Sequence, residues 1–199
     1  MTAVDVLEGL EPAGVWKRFS ELTRIARPPK QEDEAREHVL RWAADHGFET
    51  AIDREGNVVV RVPASPGRES APTVVLQAHL DMVCERDPDS LYDPREGRIH
   101  VVLDGDWVVA DGTTLGADNG IGAAAAMAVA EDPKTAHGPL ELLFTVSEEQ
   151  GLDGAKALDP SLVEGRLLLN LDGTSDQAIT IGCAGSTHTF TRLRLPVEP

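Results

Sequence analysis

The chain has 199 residues, 41% of them hydrophobic and 26% charged, which is enough for one ordinary globular domain with its own core. Its 34 acidic residues outnumber 18 basic ones, and the net charge of −16 disfavours nucleic acid and anionic membranes as partners, since both attract positive surfaces. The two distant cysteines, Cys84 and Cys183, fit a reducing compartment. With no signal pattern and no long apolar run, the sequence predicts a cytoplasmic protein.

Hydrophobic spacing predicts two helices in the first 47 residues. The first carries its apolar residues between Val15 and Ile25 and stops at Pro28. The second has an acidic first turn at residues 32–34, which suits the positive end of a helix dipole, and Gly47 as a left-handed cap. Its predicted inner face consists of Ala35, Val39, Trp42 and Ala43.

After residue 47 the pattern changes to short β-branched runs interleaved with one helix. The predicted elements are a strand at 57–62, a strand at 73–78, a hairpin at 100–109, a helix at 121–131, and strands at 140–146, 167–171, 178–182 and 187–195. Strands that alternate with helices favour an α/β fold. We therefore predict a three-layer α-β-α sandwich with a mixed, mostly parallel sheet, and one candidate boundary at 182–185.

Four polar clusters each lie just after a predicted strand or at the start of a predicted helix. They occupy residues 77–81, 116–120, 147–149 and 170–172. Ligands of open α/β sheets bind at the carboxyl ends of the strands. We therefore expect the acidic and imidazole groups of these clusters to converge at one edge.

Each cluster also has an ordinary structural explanation when it is taken alone. His79 and Asp81 suit an incidental surface or capping pair. Asp118 suits a helix N-cap, Glu148 and Glu149 suit a solvated turn, and Asp172 before a glycine suits a turn. Together, however, one histidine and several carboxylates form a ligand set that suits Zn²⁺, Co²⁺ or Mn²⁺. The combination favours a metal site over four unrelated turns.

Two further features of the sequence fit the chemistry of metal-assisted hydrolysis. Asp81 lies two residues after His79, where its carboxylate can accept the second imidazole N–H. Glu148 and Glu149 are adjacent and point in different directions, so one can bind metal while the other accepts a proton from water.

A family resemblance is carried by the segments QAHLDMV, DGTTLGADNGIG, TVSEEQGLDGA and NLDG…IGCAG. These segments resemble the di-zinc aminopeptidase and aminoacylase clan. The stretch DGDWVVADGTTLGADNGIG is similar to the aminoacyl-histidine dipeptidase (cytosol non-specific dipeptidase) family in particular. The resemblance covers about residues 8–186 and implies hydrolysis of dipeptides, either Xaa-His or of broad specificity. It also implies two divalent metal ions, with zinc expected and cobalt or manganese as alternatives.

The resemblance implies a role for each metal ligand by its position in the motifs. His79 and Asp172 would bind one metal, Glu149 would bind the other, and Asp118 would bridge the two. A dipeptide is the implied substrate, and association with a second copy of the chain stays open.

Two catalytic positions follow from the same resemblance. Glu148 would be the general base that acts on a metal-activated water and later returns the proton to the leaving amine. Asp81 would lie behind His79 and orient it.

The chain departs from the family pattern at its end. Family members carry a second domain after a position equivalent to about Gly185, and a closing segment that supplies a last histidine ligand. We therefore expect residues 1–185 to be an incomplete metallopeptidase catalytic domain and 186–199 to begin a lid or dimerisation domain. The histidines that match no such ligand are His38, His46, His100, His137 and His188. Gly173 also follows Asp172 where relatives place further acids.

Three functional interpretations stay open at this point. The first is a metal-dependent dipeptidase whose isolated chain is weakly active or inactive. The second is a non-catalytic α/β module that at most binds metal or a partner chain. The third is a related aminoacylase or deacylase.

Overall fold

The computed structural model describes residues 6–173, 178–182, 185, 187 and 189–193. The helices are α1 (Ala13–Leu22), α2 (Asp33–Asp45), α3 (Ala117–Glu131) and α4 (Asp153–Ala157). The strands are β1 (Glu49–Ile52), β2 (Val58–Val62), β3 (Val74–His79), β4 (Val101–Asp104), β5 (Trp107–Ala110), β6 (Leu140–Thr145) and β7 (Leu167–Asn170). Two single 3₁₀ turns, Pro94–Glu96 and Pro160–Leu162, complete the described elements.

A mixed five-stranded sheet lies at the centre, in the order β1-β2-β6-β3-β7. β3 is parallel to both of its neighbours, whereas β2 is antiparallel to β1 and to β6. Within this sheet only β2 therefore runs in the opposite direction. The hairpin β4–β5 forms a separate two-stranded sheet. The prediction of a mixed, mostly parallel α/β sheet is confirmed.

The parallel register brings the carboxyl ends of three strands side by side. His79 pairs with Thr145 of β6, and Gln77 pairs with Asn170 of β7. Hydrogen bonding continues past the strand ends, since Leu80 N–H donates to Thr145 O and Leu171 N–H donates to Gln77 O, both at 2.8 Å. The loops that follow β3, β6 and β7 are thus aligned at one edge.

The main core lies on the face of the sheet that α2 and α3 cover. The predicted inner face of α2 is buried in full: Ala35, Val39, Trp42 and Ala43. Most buried residues of α3 are alanine or glycine, so this helix can lie close to β3. α1 packs against α3, with Phe19 beside Ala124. On the other face, Val59, Val75 and Leu143 are covered by residues 158–163.

Some predicted boundaries differ from the structure. α1 ends at Leu22, although Ile25 beyond it is buried. α3 starts at Ala117, but Asp118 and Asn119 have non-helical dihedrals, so the regular helix begins close to the predicted residue 121. β1 and α4 were not predicted, because one is a short, largely exposed edge strand and the other has only five residues.

The two last predicted strands are not seen. Residues 178–182 are in no strand, so that prediction was wrong. Of the predicted strand at 187–195, residues 187 and 189–193 form none, and the rest lies outside the described residues, as do Cys183 and His188. The predicted boundary near residue 185 stays a prediction. Within the described ranges, no helix combines the length and apolarity that crossing a bilayer requires.

Candidate metal centre

His79, the last residue of β3, is the centre of the site and is fully buried. Its Nδ1 lies 2.9 Å from the backbone oxygen of Asp81 and 3.4 Å from the Asp81 carboxylate. Because both neighbours of Nδ1 accept hydrogen bonds, this nitrogen carries a proton. The other nitrogen, Nε2, faces acidic side chains: Asp118 at 2.9 Å, Asp172 at 3.8 Å and Glu148 at 3.9 Å.

Asp81 connects the histidine to the loop after β6. Its carboxylate is buried and accepts the backbone N–H groups of Glu148 and Glu149, each at 3.0 Å. Burial alone would raise the pKa of Asp81, but the hydrogen bonds from His79 and from these two N–H groups prevail and lower it. Asp81 therefore stays ionised and fixes both the imidazole and the position of the two glutamates. The contact of Asp81 with His79 was predicted from the sequence, but its hydrogen bonds to the backbone of Glu148 and Glu149 were not.

The remaining acids are held close together against their mutual repulsion. Burial and the charges of neighbouring acids together outweigh the attraction of His79 and raise the pKa of Glu148, Glu149 and Asp172. Burial lowers the pKa of His79, but Asp81 and Asp118 outweigh it and raise the value to about 9. An excess of carboxylates around one imidazole is the electrostatic environment that a cation would stabilise.

The positions of the ligand atoms fit a divalent cation. Two groups of three side chains place their ligand atoms within 4.8 Å of one another: His79, Asp118 and Asp172, and His79, Glu148 and Glu149. Imidazole and carboxylate are ligands of zinc and related ions. The first group contains the three residues predicted to share one metal. The second group contains both Glu148 and Glu149. The sequence analysis assigned them different roles, with Glu148 as the general base and Glu149 as a metal ligand.

All six candidate residues come together: His79, Asp81, Asp118, Glu148, Glu149 and Asp172. The other described histidines lie elsewhere: His38 beside Glu21, His46 beside Glu131, His100 beside Asp111, and His137 bonded to Gly138. Among the residues that the structure describes, each triad uses the same imidazole.

Sequence analysis missed two buried charged residues that contact these loops, Arg27 and Glu32. Glu32 was interpreted only as an acid in the first turn of a helix. Its carboxylate in fact accepts hydrogen bonds from Ser147 N–H and Oγ, at 2.8 and 3.0 Å. No local spacing signals such a contact, because the partners are 115 residues apart.

Known proteins match both the sequence and the fold. The sequence profile of peptidase family M28 matches residues 57–193. The cytosol non-specific dipeptidase of Escherichia coli (strain K12) is 42% identical over 192 residues, which cover 96% of this chain and 40% of the relative. The chain thus spans less than half of that relative's length.

Solved structures of peptidases also match this chain. The aminoacylhistidine dipeptidase of Vibrio alginolyticus superposes with a TM-score of 0.81 at 42% identity, over 84% of this chain and 34% of that one. The aminopeptidase PepT of Bacillus cereus superposes with a TM-score of 0.68 at 27% identity, over 80% of this chain and 43% of that one. The resemblance to aminoacyl-histidine dipeptidases is confirmed. Because the family profile matches most of its length, the chain belongs to peptidase family M28.

Proposed function

We propose that this chain carries the metal centre of a dipeptidase and hydrolyses, or contributes to hydrolysing, the peptide bond of dipeptides. The observation that carries the proposal is the convergence of one buried imidazole and four acidic side chains at the ends of β3, β6 and β7 and the start of α3. The names of the Escherichia coli and Vibrio alginolyticus relatives support a dipeptide substrate.

The proposed ligands combine the first triad with the family resemblance. His79, Asp118 and Asp172 would hold one divalent ion. As the resemblance implies, Glu149 would hold a second ion, with Asp118 as a shared ligand. Zinc is the expected ion, with cobalt or manganese as alternatives. When bound, such ions polarise the peptide carbonyl and acidify water.

Glu148 is the proposed general base. It is only partly buried, and burial together with neighbouring acids raises its pKa, so it holds a proton more readily than an ordinary glutamate. Its carboxylate would accept a proton as the water oxygen attacks the carbonyl carbon. The same proton would then pass to the nitrogen of the leaving amine as the C–N bond breaks, so the glutamate is regenerated.

Asp81 is the proposed orienting residue. It holds the protonated Nδ1 of His79, so the lone pair of Nε2 faces the acids once that nitrogen is deprotonated. Through its bonds to Glu148 N–H and Glu149 N–H, it also fixes the base relative to the ligands.

A second candidate function is an ion-binding module without turnover of its own. It is favoured by one observation: within the described part of the chain, His79 is the one histidine in either triad.

A cytoplasmic location and self-association remain part of the dipeptidase proposal.

Turnover of a dipeptide in the presence of zinc separates the two functions. We expect Glu148→Gln to abolish turnover and to leave zinc uptake intact, because the amide cannot accept the proton. The matched control is Glu164→Gln, at an exposed glutamate beside Arg61. Zinc uptake without turnover in the unmodified chain would favour the binding module. Loss of uptake in Glu148→Gln would mean that the two glutamates exchange roles.

A further inference from the structure

The connection between α1 and α2 brings two buried charged side chains to the loops of the candidate metal centre. Arg27 is 1% exposed and Glu32 is 4% exposed. Burying a charged group is costly unless its hydrogen bonds are satisfied. The partners of these two side chains therefore indicate why the chain buries them.

Arg27 bonds to two different loops at once. Its Nη1 donates to Leu80 O at 2.8 Å and to Asp81 O at 3.3 Å, and its Nη2 donates to Gly116 O at 2.6 Å. The first two carbonyls directly follow His79, and the third precedes Asp118 by two residues. Complete burial lowers the pKa of the guanidinium to about 10, so it stays charged at neutral pH.

Two glycines leave room for this guanidinium. A Cβ at Gly116 would lie 2.5 Å from Arg27 Nη2, and one at Gly120 would lie 2.7 Å from the same atom. Gly116 also has a φ of +72°, which residues with a side chain rarely adopt. The loop that carries Asp118 is thus shaped around Arg27.

Glu32 bonds to the third loop. Its Oε1 accepts Ser147 N–H at 2.8 Å, Ser147 Oγ–H at 3.0 Å and Lys30 N–H at 3.0 Å. Ser147 has a φ of +50°, an uncommon conformation for a residue other than glycine. It directly precedes Glu148 and Glu149, so Glu32 stabilises the turn that presents both.

We propose that Arg27 and Glu32 are positioning residues of the metal centre, which hold three of its four ligand-bearing loops, all but that of Asp172, in register from a single connection. Arg27 fixes the loops that carry His79 and Asp118, and Glu32 fixes the loop that carries Glu148 and Glu149. The consequence for metal affinity rests on the proposed function, whereas the effect on the loops does not.

If Arg27 and Glu32 only stabilised the fold, replacing other buried charged residues would have the same effect on the metal centre. The chain offers such residues as matched controls. Glu141 is also buried, at 3% exposure, and its carboxylate accepts backbone N–H groups of Glu164 and Gly165 at 2.9 to 3.2 Å. Those two residues are not candidate ligands. Arg18, with 8% exposure, is the corresponding control for Arg27.

The first experiment measures amide hydrogen exchange in the metal-free full chain. We expect Glu32→Met to accelerate exchange at Ser147 by at least about 10-fold, since its acceptor is lost, and the conservative Glu32→Gln to have a smaller effect. Glu141→Met should accelerate exchange at Gly165 and leave Ser147 unchanged. Unchanged exchange at Ser147 in Glu32→Met would overturn the proposal.

The second experiment measures zinc affinity by calorimetry for Glu32→Gln and Arg27→Lys. Loss of a group that orients metal ligands lowers affinity by about 10- to 100-fold, and we expect that range for both variants. Glu141→Gln and Arg18→Lys should bind zinc like the unmodified chain, even where they unfold more readily. An equal loss in these controls would overturn the positioning role. If the unmodified chain takes up no zinc, the proposed function fails, and the exchange experiment still decides the positioning of the loops.

Discussion

Two clusters of charged side chains in the described part of the chain differ in how their charges are balanced. Between α1, α2 and α3, the Arg18 guanidinium bonds to both carboxylate oxygens of Glu131 and to Glu21. Trp42 Nε1–H adds a bond to Glu131 at 2.9 Å. Burial opposes ionisation of Glu131, but Arg18 prevails and lowers its pKa. In this cluster a cation of the chain itself pairs with both acids, so we interpret the cluster as structural.

At the ends of β3, β6 and β7 the balance is reversed. One imidazole faces several acids, and burial together with repulsion among the acids raises the pKa values of Glu148, Glu149 and Asp172 against the attraction of His79. In the structural cluster, by contrast, bonds to a cation of the chain itself lower the pKa of the buried acid, as Arg18 does for Glu131. The comparison supports the proposal that the acids at the sheet edge bind a cation from outside the chain, whereas Glu131 is already paired with a cation of the chain itself.

The largest expected effect is on metal uptake in His79→Ala. This change removes the imidazole common to both triads, and we expect the affinity for zinc to fall by more than about 100-fold in calorimetry, beyond the range for an orienting residue. His100→Ala, at an exposed histidine beside Asp111, is the control and should bind normally. Unchanged zinc affinity in His79→Ala would mean that the sheet edge binds no cation through His79, and the contrast with the cluster at Glu131 would fail.

A smaller loss is expected for Asp81→Asn. An amide has one acceptor oxygen where the carboxylate has two, so it cannot hold Glu148 N–H and Glu149 N–H while also orienting His79. We expect zinc affinity to fall by about 10- to 100-fold. Asp159→Asn is the control, because Asp159 accepts the N–H of Ser161 away from the site. Equal affinities for the two variants would contradict the orienting role.

The helix cluster should respond in stability and not in metal binding. Glu131→Gln weakens the charge-assisted bonds to Arg18, and we expect the free energy of unfolding to fall by about 1.5 kcal/mol in urea titrations. Zinc affinity should stay that of the unmodified chain. A loss of zinc affinity in this variant would show that the two regions are not independent.

The smallest expected effect is on the pH dependence of stability. The folded-state pKa of Glu131 lies below its ordinary value of 4.5, so the unfolded chain binds more protons near that pH. Its contribution is therefore complete above the unfolded value and is lost as the pH falls through the folded value. Unfolding free energies measured across this window should depend less steeply on pH in Glu131→Gln. An equal slope in both proteins would argue against the lowered pKa.

The sequence predicts those parts of the fold that depend on local pattern. β3, β6 and β7 are apolar runs, and each is followed by polar residues, so the sequence predicts both the strands and the meeting of these polar residues at one edge. The inner face of α2 was predicted because its spacing is regular. The alignment of the three loops follows from the parallel register. The strand pattern predicts parallel strands, but it does not specify which residues pair with one another.

The missing parts depend on contacts between distant residues. Arg27 bonds to Gly116 across 89 positions, and Glu32 bonds to Ser147 across 115, so neither leaves a periodic signal. The predicted strand at 178–182 has suitable residues but no pairing among the described strands. Propensity alone does not form a strand without a partner.

The central claim is that the acids and the imidazole at this edge surround a cation. A crystal structure of the zinc-soaked chain, with anomalous diffraction measured at the zinc absorption edge, tests it most directly. We predict an anomalous peak about 2 Å from His79 Nε2, with Asp118 and Asp172 oxygens also bound. Zinc located only at sites elsewhere on the chain, with His79 Nε2 still bonded to Asp118, would contradict the account.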